Sequence, residues 1–201
     1  MTWQKRFLDI SLSCLCILIF AIPFIVLLVV LLVLQGRPIF YVSERMKTPT
    51  QGFMLWKLRS MEVSTSNSGV TGGDKKKRYT RFGHQLRKFR LDEFPQVWNV
   101  LRGDMSIVGP RPPLRNYVED YPELYAEVLK ARPGITGLAT LTYHQHETKI
   151  LARCKTAKQT DAAYRKRCIP QKARLDLIYQ EHQSICFDVS ILWKTLAKVL
   201  R

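Results

Sequence analysis

Acidic residues are scarce in this chain. Sixteen Asp and Glu stand against 32 Lys and Arg in 201 residues, a formal net charge of +16. That imbalance is too large to be incidental and favours anionic partners: lipid headgroups, phosphorylated substrates or nucleic acid. Cysteine is also sparse. Cys14, Cys16, Cys154, Cys168 and Cys186 are odd in number, and the first two lie in an apolar stretch. This makes a poor disulfide framework and fits a reducing, cytosolic side. His144 and His146 with Cys154 and Cys168 lack the closely paired cysteines of a zinc site. No internal repeat is visible, and the length suits one domain plus an anchor.

Charge is wholly absent from residues 10–34. The run exceeds the ~20 residues a helix needs to cross the hydrocarbon core. It is too long for a signal-peptide core, and no small-residue cleavage site precedes the break at Gln35-Gly36-Arg37-Pro38. It is apolar all round, which excludes an ordinary one-faced core helix. Pro23, near its middle, is expected to kink the helix into two halves. Each half, at ~18 Å, reaches a little past the midplane of a ~30 Å core. The segment therefore either spans with a kink or dips in and returns to the same face. Lys5 and Arg6 before it, and Arg37, Arg45 and Lys47 after it, favour cytoplasmic placement of both ends. The mixture of Trp3, Phe7 and Leu8 with Lys5 and Arg6 reads as an interfacial start to the helix.

Beyond the anchor, residues 39–42 and 53–58 are β-prone runs around a turn-rich stretch, which predicts a β-hairpin. Residues 64–73 are rich in Ser, Thr, Asn and Gly and read as a mobile loop. Lys75, Lys76, Lys77, Arg78 and Arg81 follow. Such a basic run beside an anchor attracts anionic lipids at ~1 kcal/mol per residue. Residues 82–100 read as helix interrupted at Pro95, 101–113 as a loop, and 114–130 as helix. A sharp turn at Arg132-Pro133-Gly134 is followed by a β-prone stretch at 137–143. Helices are expected over 160–182 and 188–201, the last one amphipathic. The fold class is α+β and α-rich.

The densest chemical cluster is Arg87-Lys88-Phe89-Arg90-Leu91-Asp92-Glu93-Phe94-Pro95. An isolated Asp-Glu pair is usually a solvated surface feature. Here it lies among arginines and before a proline that limits the helix. A carboxylate can attack phosphorus and form an acyl phosphate. One repulsive pair at 4 Å costs ~1 kcal/mol in water and ~4 kcal/mol at an effective dielectric of 20. Arginines, whose planar fork binds phosphate oxygens bidentately, and a divalent cation would offset that repulsion. Carboxylates, arginines and an anchor together point to phosphoryl transfer at a membrane surface.

Four motifs carry a resemblance: Asp92-Glu93-Phe94-Pro95-Gln96, Asn99-Val100-Leu101-Arg102-Gly103-Asp104-Met105-Ser106, Val108-Gly109-Pro110-Arg111-Pro112, and Arg132-Pro133-Gly134-Ile135-Thr136-Gly137-Leu138-Ala139. With the anchor, the chain resembles the bacterial sugar transferases, the small monotopic phosphoglycosyl transferases, over nearly its whole length. The resemblance implies a re-entrant, Pro-broken membrane helix hairpin over 1–36. It implies a cytosolic catalytic domain over 37–201, with a short β-hairpin and amphipathic interfacial helices. It implies transfer of a sugar-1-phosphate from a UDP-sugar to undecaprenyl phosphate, with release of UMP, as the first membrane step of glycoconjugate assembly. Asp92 would be the nucleophile that carries the phospho-sugar, and Glu93 would hold Mg2+ with it or manage protons. Arg87 and Arg111 match phosphate-contacting positions, Pro110 and Pro112 shape the loop that presents Arg111, and Lys57, Arg59 and Arg90 are further binding candidates. The implied setting is the cytoplasmic face of the bacterial inner membrane, with both termini cytoplasmic and anionic lipids as partners. Nucleic acid is not an implied partner; downstream glycosyltransferases and a second copy of the chain are compatible ones.

Two departures from the family stand out. The anchor reads Ile22-Pro23 where the family has Ser-Pro. Thr142-Tyr143-His144-Gln145-His146 replaces an Asn-Gly-Arg stretch, so His144 stands where an arginine near the nucleotide or sugar is expected. The rival reading is a membrane-anchored, non-enzymatic nucleic-acid-binding or scaffold protein. It has the basic charge in its favour, but it lacks an aromatic-interleaved RNA-binding motif and leaves the Asp92-Glu93 pair unexplained.

Overall fold

The computed structural model describes residues 2–62 and 78–199; the loop expected at 64–73 and the lysines at 75–77 lie outside them. The chain opens with one long helix, α1 (Trp3–Gln35), capped by the Thr2 hydroxyl and ended at Gly36, whose φ of 65° suits glycine. Helical structure runs without interruption through Pro23. The two half-helices expected on either side of Pro23 are joined in one helical run. A proline removes one hydrogen bond from the ladder, and the turns on either side remain helical. Trp3, Phe7 and most of the apolar side chains from Leu15 to Leu34 are exposed, while Phe24, Leu27 and Leu28 are half-buried and Leu31 is buried. Soluble domains rarely leave so large an apolar surface bare, and this helix, long and apolar enough to cross a membrane, suits a membrane protein.

Both ends of α1 are fastened to the rest of the chain. Near its start, the buried Lys5 ammonium donates to the Val108 carbonyl at 3.0 Å and to the Asp188 carboxylate at 2.5 Å. Arg6 donates to the carbonyls of Val100 and Leu101, and Asp9 accepts from the Ser106 hydroxyl and the Ile107 amide. Lys5 and Arg6, read from sequence as charges flanking a membrane segment, are therefore bound within the fold. Near its end, Leu27, Leu28 and Leu31 pack with Leu58, Leu86, Ile39 and Phe82. Arg59 donates to the carbonyls of Gln35 and Gly36.

The expected hairpin is present as β1 (Phe40–Met46) antiparallel to β2 (Gly52–Leu58), with Tyr41 opposite Lys57 and Arg45 opposite Phe53. Residues 53, 55 and 57 share one face. Phe53 and Leu55 bury against Val100 and Met105. The expected helix over 82–100 is instead α2 (Gly83–Lys88), a 3-10 turn (Leu91–Glu93) and α3 (Gln96–Arg102). Asn99 on α3 is fully buried. It donates to the Met54 carbonyl and accepts from the Trp56 amide, which pins α3 to β2.

Two strands were not expected from sequence. β3 (Ser106–Val108) pairs in parallel with β4 (Gly134–Thr136), in stretches read as a loop and a sharp turn. The pairing makes the third and fourth family motifs one unit. A Cβ at Gly109 would meet the Arg132 carbonyl oxygen at 2.3 Å, and one at Gly134 the Gly109 nitrogen at 2.1 Å. Only glycine permits so close a backbone approach. The remaining elements are α4 (Arg115–Asp120), α5 (Pro122–Val128), α6 (Leu138–Leu151), α7 (Ala157–Ala163), a π turn (Tyr164–Cys168), α8 (Ile169–Glu181) and α9 (Ile185–Val199). The 137–143 stretch, β-prone in isolation, is the start of α6. Its β-branched residues are a weak local preference, and tertiary packing overrides it. On α9, Ile185, Val189, Trp193 and Leu196 form an exposed apolar face, while Ile191 and Asp188 face inward.

Breaking a buried ion pair by removing one partner leaves an uncompensated charge and costs about 3–5 kcal/mol. Lys5→Ala is expected to destabilise the purified protein by that amount in thermal unfolding. Lys5→Met combined with Asp188→Leu should recover most of the loss. An unchanged melting temperature in the single variant would show that the pair is not structural.

Candidate active site

The dyad sits on a strained turn. Arg90, just ahead of it, adopts φ 55°, a left-handed conformation uncommon outside glycine. This turns the chain so that Asp92 and Glu93, both buried, face a cavity of about 640 Å³. That size lies in the range of small-molecule sites. Next along the chain, Phe94 packs on the membrane helix, with ring centroids 4.6 Å from Phe24 and 6.2 Å from Phe20. The dyad is thereby tied to the apolar middle of α1.

Glu93 is the electrostatic centre. Its Oε1 accepts from Arg111 at 2.8 Å and from Lys57 at 3.2 Å, and Arg90 lies 3.7 Å from Oε2. Burial alone would raise its pKa. The charges of Arg111, Lys57 and Arg90 outweigh burial and hold the carboxyl well below the usual glutamate range. Arg111 is raised in return, chiefly by Glu93. Burial pulls Lys57 down to about 8, against the opposing pull of Glu93. Asp92 behaves oppositely to Glu93. Burial and then the negative charge of Glu93 raise its pKa, and Lys57, Arg87 and Arg111 oppose the rise. Two adjacent carboxylates with pKa values pushed apart suit different roles.

The other expected residues divide. Arg87 donates through Nε to the Ser60 hydroxyl and lies over the Tyr79 ring, with its charge acting on Asp92. Pro112 and His144 line the cavity, His144 from α6. Pro110 is buried, and its carbonyl accepts from the Gly134 amide, holding the loop that carries Arg111. Arg59 borders the cavity, but its bonds go to the end of α1. His146 points elsewhere, toward a groove with Tyr143, Lys149 and Arg153.

Sequence reasoning missed Arg45 as a cavity residue. It shares the hairpin face with Tyr41, Ser43 and Lys57, and its Nε is buried without a hydrogen-bond partner. Burial and the nearby Arg111 lower it to about 10, so it stays charged at neutral pH. The strand alternation that places Arg45 on the same hairpin face as Lys57 was the available signal. Glu147, Tyr164 and Lys172, from α6, the π turn and α8, also reach the cavity.

A divalent cation fits the dyad. Among the described residues no three His, Cys, Asp or Glu side chains cluster as a metal cage. Mg2+ needs no such cage where one or two carboxylates act with substrate phosphates. Glu93 Oε2 is buried and accepts no hydrogen bond, with the Arg90 guanidinium 3.7 Å away as its ion-pair partner.

The whole chain, residues 1–201, matches the family model described as bacterial sugar transferase. The chain belongs to the bacterial sugar transferase family. Similar members include the UDP-N-acetylgalactosamine-undecaprenyl-phosphate N-acetylgalactosaminephosphotransferase of Aeromonas hydrophila, 30% identical over 98% of this chain and 43% of the relative. The UDP-glucose:undecaprenyl-phosphate glucose-1-phosphate transferase of Klebsiella pneumoniae is 31% identical over 96% of this chain and 39% of the relative. An uncharacterized sugar transferase of Bacillus subtilis, EpsL, is 34% identical over 82% of this chain and 71% of its own length. The chain thus spans about two fifths of the Aeromonas and Klebsiella sugar transferases.

Glu93→Gln is expected to lower stability at pH 7 by about 3–5 kcal/mol, because it strips the counter-charge from Lys57 and Arg111. The folded pKa of Glu93 is depressed, so its contribution is complete above the unfolded value near 4.5 and is lost as pH falls through the folded value. The gap between the native protein and the variant in chemical denaturation should therefore narrow progressively below about pH 4.5. A gap independent of pH would refute the assignment.

Proposed function

We propose that the chain transfers a sugar-1-phosphate from a UDP-sugar to undecaprenyl phosphate, through a phospho-sugar held on Asp92. The relatives' names supply the donor and acceptor classes. The observation that carries the reading is the split dyad. Glu93 is neutralised by Arg111 and Lys57, while Asp92 faces the cavity among cations suited to phosphate.

The steps balance without any redox partner. A carboxylate oxygen of Asp92 attacks the sugar-bearing phosphorus, and the bond from that phosphorus to the bridging oxygen breaks. UMP leaves with the electron pair. An oxygen of the acceptor phosphate then attacks the same phosphorus and displaces the Asp92 carboxylate, which is regenerated. Arg111, Arg87 and Arg45 hold phosphate oxygens, and Lys57 keeps Glu93 ionised and oriented. Mg2+, held by Asp92 and Glu93, would offset charge on the phosphoryl oxygens. The full-length protein in nanodiscs, given undecaprenyl phosphate, Mg2+ and a panel of UDP-sugars, should release UMP. Asp92→Asn should lower that rate at least about a thousandfold; a variant of near-native rate would end the mechanism.

The fastening of α1 supports a one-sided membrane geometry. Its ends, Lys5 and Leu31, are about 39 Å apart along a helix, yet both are bound to the same aqueous domain. A segment crossing the bilayer would separate them. The reading is a helix that enters and stays on one face, bending at Pro23, with the exposed apolar face of α9 and Trp98 lying at the headgroup level. Both termini are then cytoplasmic. Single cysteines placed at Thr2 and at Lys198, in a background without the native cysteines, should both be protected from an impermeant thiol reagent in intact cells. Labelling of either one contradicts insertion from the cytoplasmic face alone.

A further inference from the structure

The inner wall of the cavity differs from the arginine-rich side around the dyad. Lys172 on α8, itself nearly buried, donates to both Glu147 oxygens at 3.3 and 3.2 Å and to the Tyr164 hydroxyl at 3.2 Å. Tyr164 begins the π turn, a backbone irregularity common at functional sites. One helical turn beyond Lys172, Asp176 also lines the cavity. It is 6% exposed, and its Oδ1 is buried with no hydrogen-bond partner. Burial pushes its pKa up to about 7, and Lys172 only partly opposes this. An unpartnered buried carboxylate lowers stability, so the fold gains nothing from keeping it. Glu147 acts electrostatically on Arg111, which sets this wall beside the group that faces the dyad.

We propose that Glu147, Lys172 and Asp176 form the subsite for the donor's sugar ring. The inference rests on the transferase reading above and assigns one half of the donor to one wall. The one cation on this wall, Lys172, is already paired with Glu147, so the wall offers a diphosphate no free counter-charge; the diphosphate belongs with Arg45, Arg87 and Arg111. A neutral pyranose presents several hydroxyl donors in a fixed array, and the wall offers several acceptors against one cation already engaged by Glu147. Uracil offers a single N–H donor and suits the wall less well. A site built to bond a hydroxyl discriminates strongly against an analogue that cannot supply it, so these residues would set which epimer is accepted.

The test separates sugar from nucleotide. Full-length protein in nanodiscs is titrated with UDP and with UDP-glucose, UDP-galactose and their N-acetylamino counterparts, and apo thermal stability is recorded. Asp176→Asn is expected to melt no lower than the native protein and to bind UDP within about twofold of it. It should bind the preferred UDP-sugar at least about tenfold more weakly, with the ratio of kcat/KM between C4 epimers shifted. Glu147→Gln should show the same split between UDP and UDP-sugar, whatever its melting temperature. Equal weakening toward UDP would assign the wall to the nucleotide and overturn the proposal. A lowered melting temperature with uniform loss for every donor would make Asp176 structural and overturn it as well. Native protein that binds UDP-sugars while both variants bind them equally well refutes the subsite alone. Native protein that binds no UDP-sugar refutes the transferase reading with it.

Discussion

The architecture depends on one buried ammonium. Lys5, near the start of the membrane helix, reaches the Val108 carbonyl on β3 and the Asp188 carboxylate on α9. Tyr179 completes the cluster, donating to Asp188 and lying within hydrogen-bond distance of Lys5. Burying a charge is costly unless it is paired and fully bonded, and this one is. The junction joins the first helix, a short strand and the last helix. It also fixes where β3 ends, and β3 leads directly into the Gly109-Pro110-Arg111-Pro112 loop. Arg111 then meets Glu93 at 2.8 Å. The anchor is thus linked to the dyad by a short series of named contacts.

A second route runs through Phe94, which follows the dyad in sequence and stacks against Phe20 and Phe24. Together the two routes set the height of Asp92 relative to the apolar helix. That height matters for a lipid-borne phosphate, which sits at the headgroup level. The electrostatic division of the cavity is consistent with such chemistry. Cations cluster at the dyad, where phosphate charge must be accommodated. Glu147, Tyr164, Lys172 and Asp176 line another part of the same cavity, the place proposed for a neutral sugar ring.

The motifs were legible in sequence because they are local runs, and the structure gives their physical content. Gly109 and Gly134 are glycines because two backbones touch there. Asn99 binds the hairpin edge, and Gly103, at φ 85°, ends α3. The hairpin was legible from alternation and turn residues. The β3–β4 pair was not, because three-residue strands flanked by Gly and Pro look like loops until their partner, 28 residues away, is known. The structural use of Lys5 and Arg6 was equally hidden, since basic residues beside an apolar run ordinarily mark the membrane boundary. The inner wall could not be read at all. Glu147 comes from α6, Tyr164 from the π turn, and Lys172 and Asp176 from α8, and only packing brings the three elements to one cavity.

The mechanism stands on Asp92 carrying the phospho-sugar, and intact-protein mass spectrometry addresses this most directly. Full-length protein is exposed briefly to a UDP-sugar it binds, with Mg2+ present and polyprenol phosphate withheld, and is then quenched. The expected result is a mass increase equal to one sugar phosphate. That increase should disappear on adding undecaprenyl phosphate and be absent from Asp92→Asn. UMP release with no adduct, or an adduct that persists in Asp92→Asn, would contradict it.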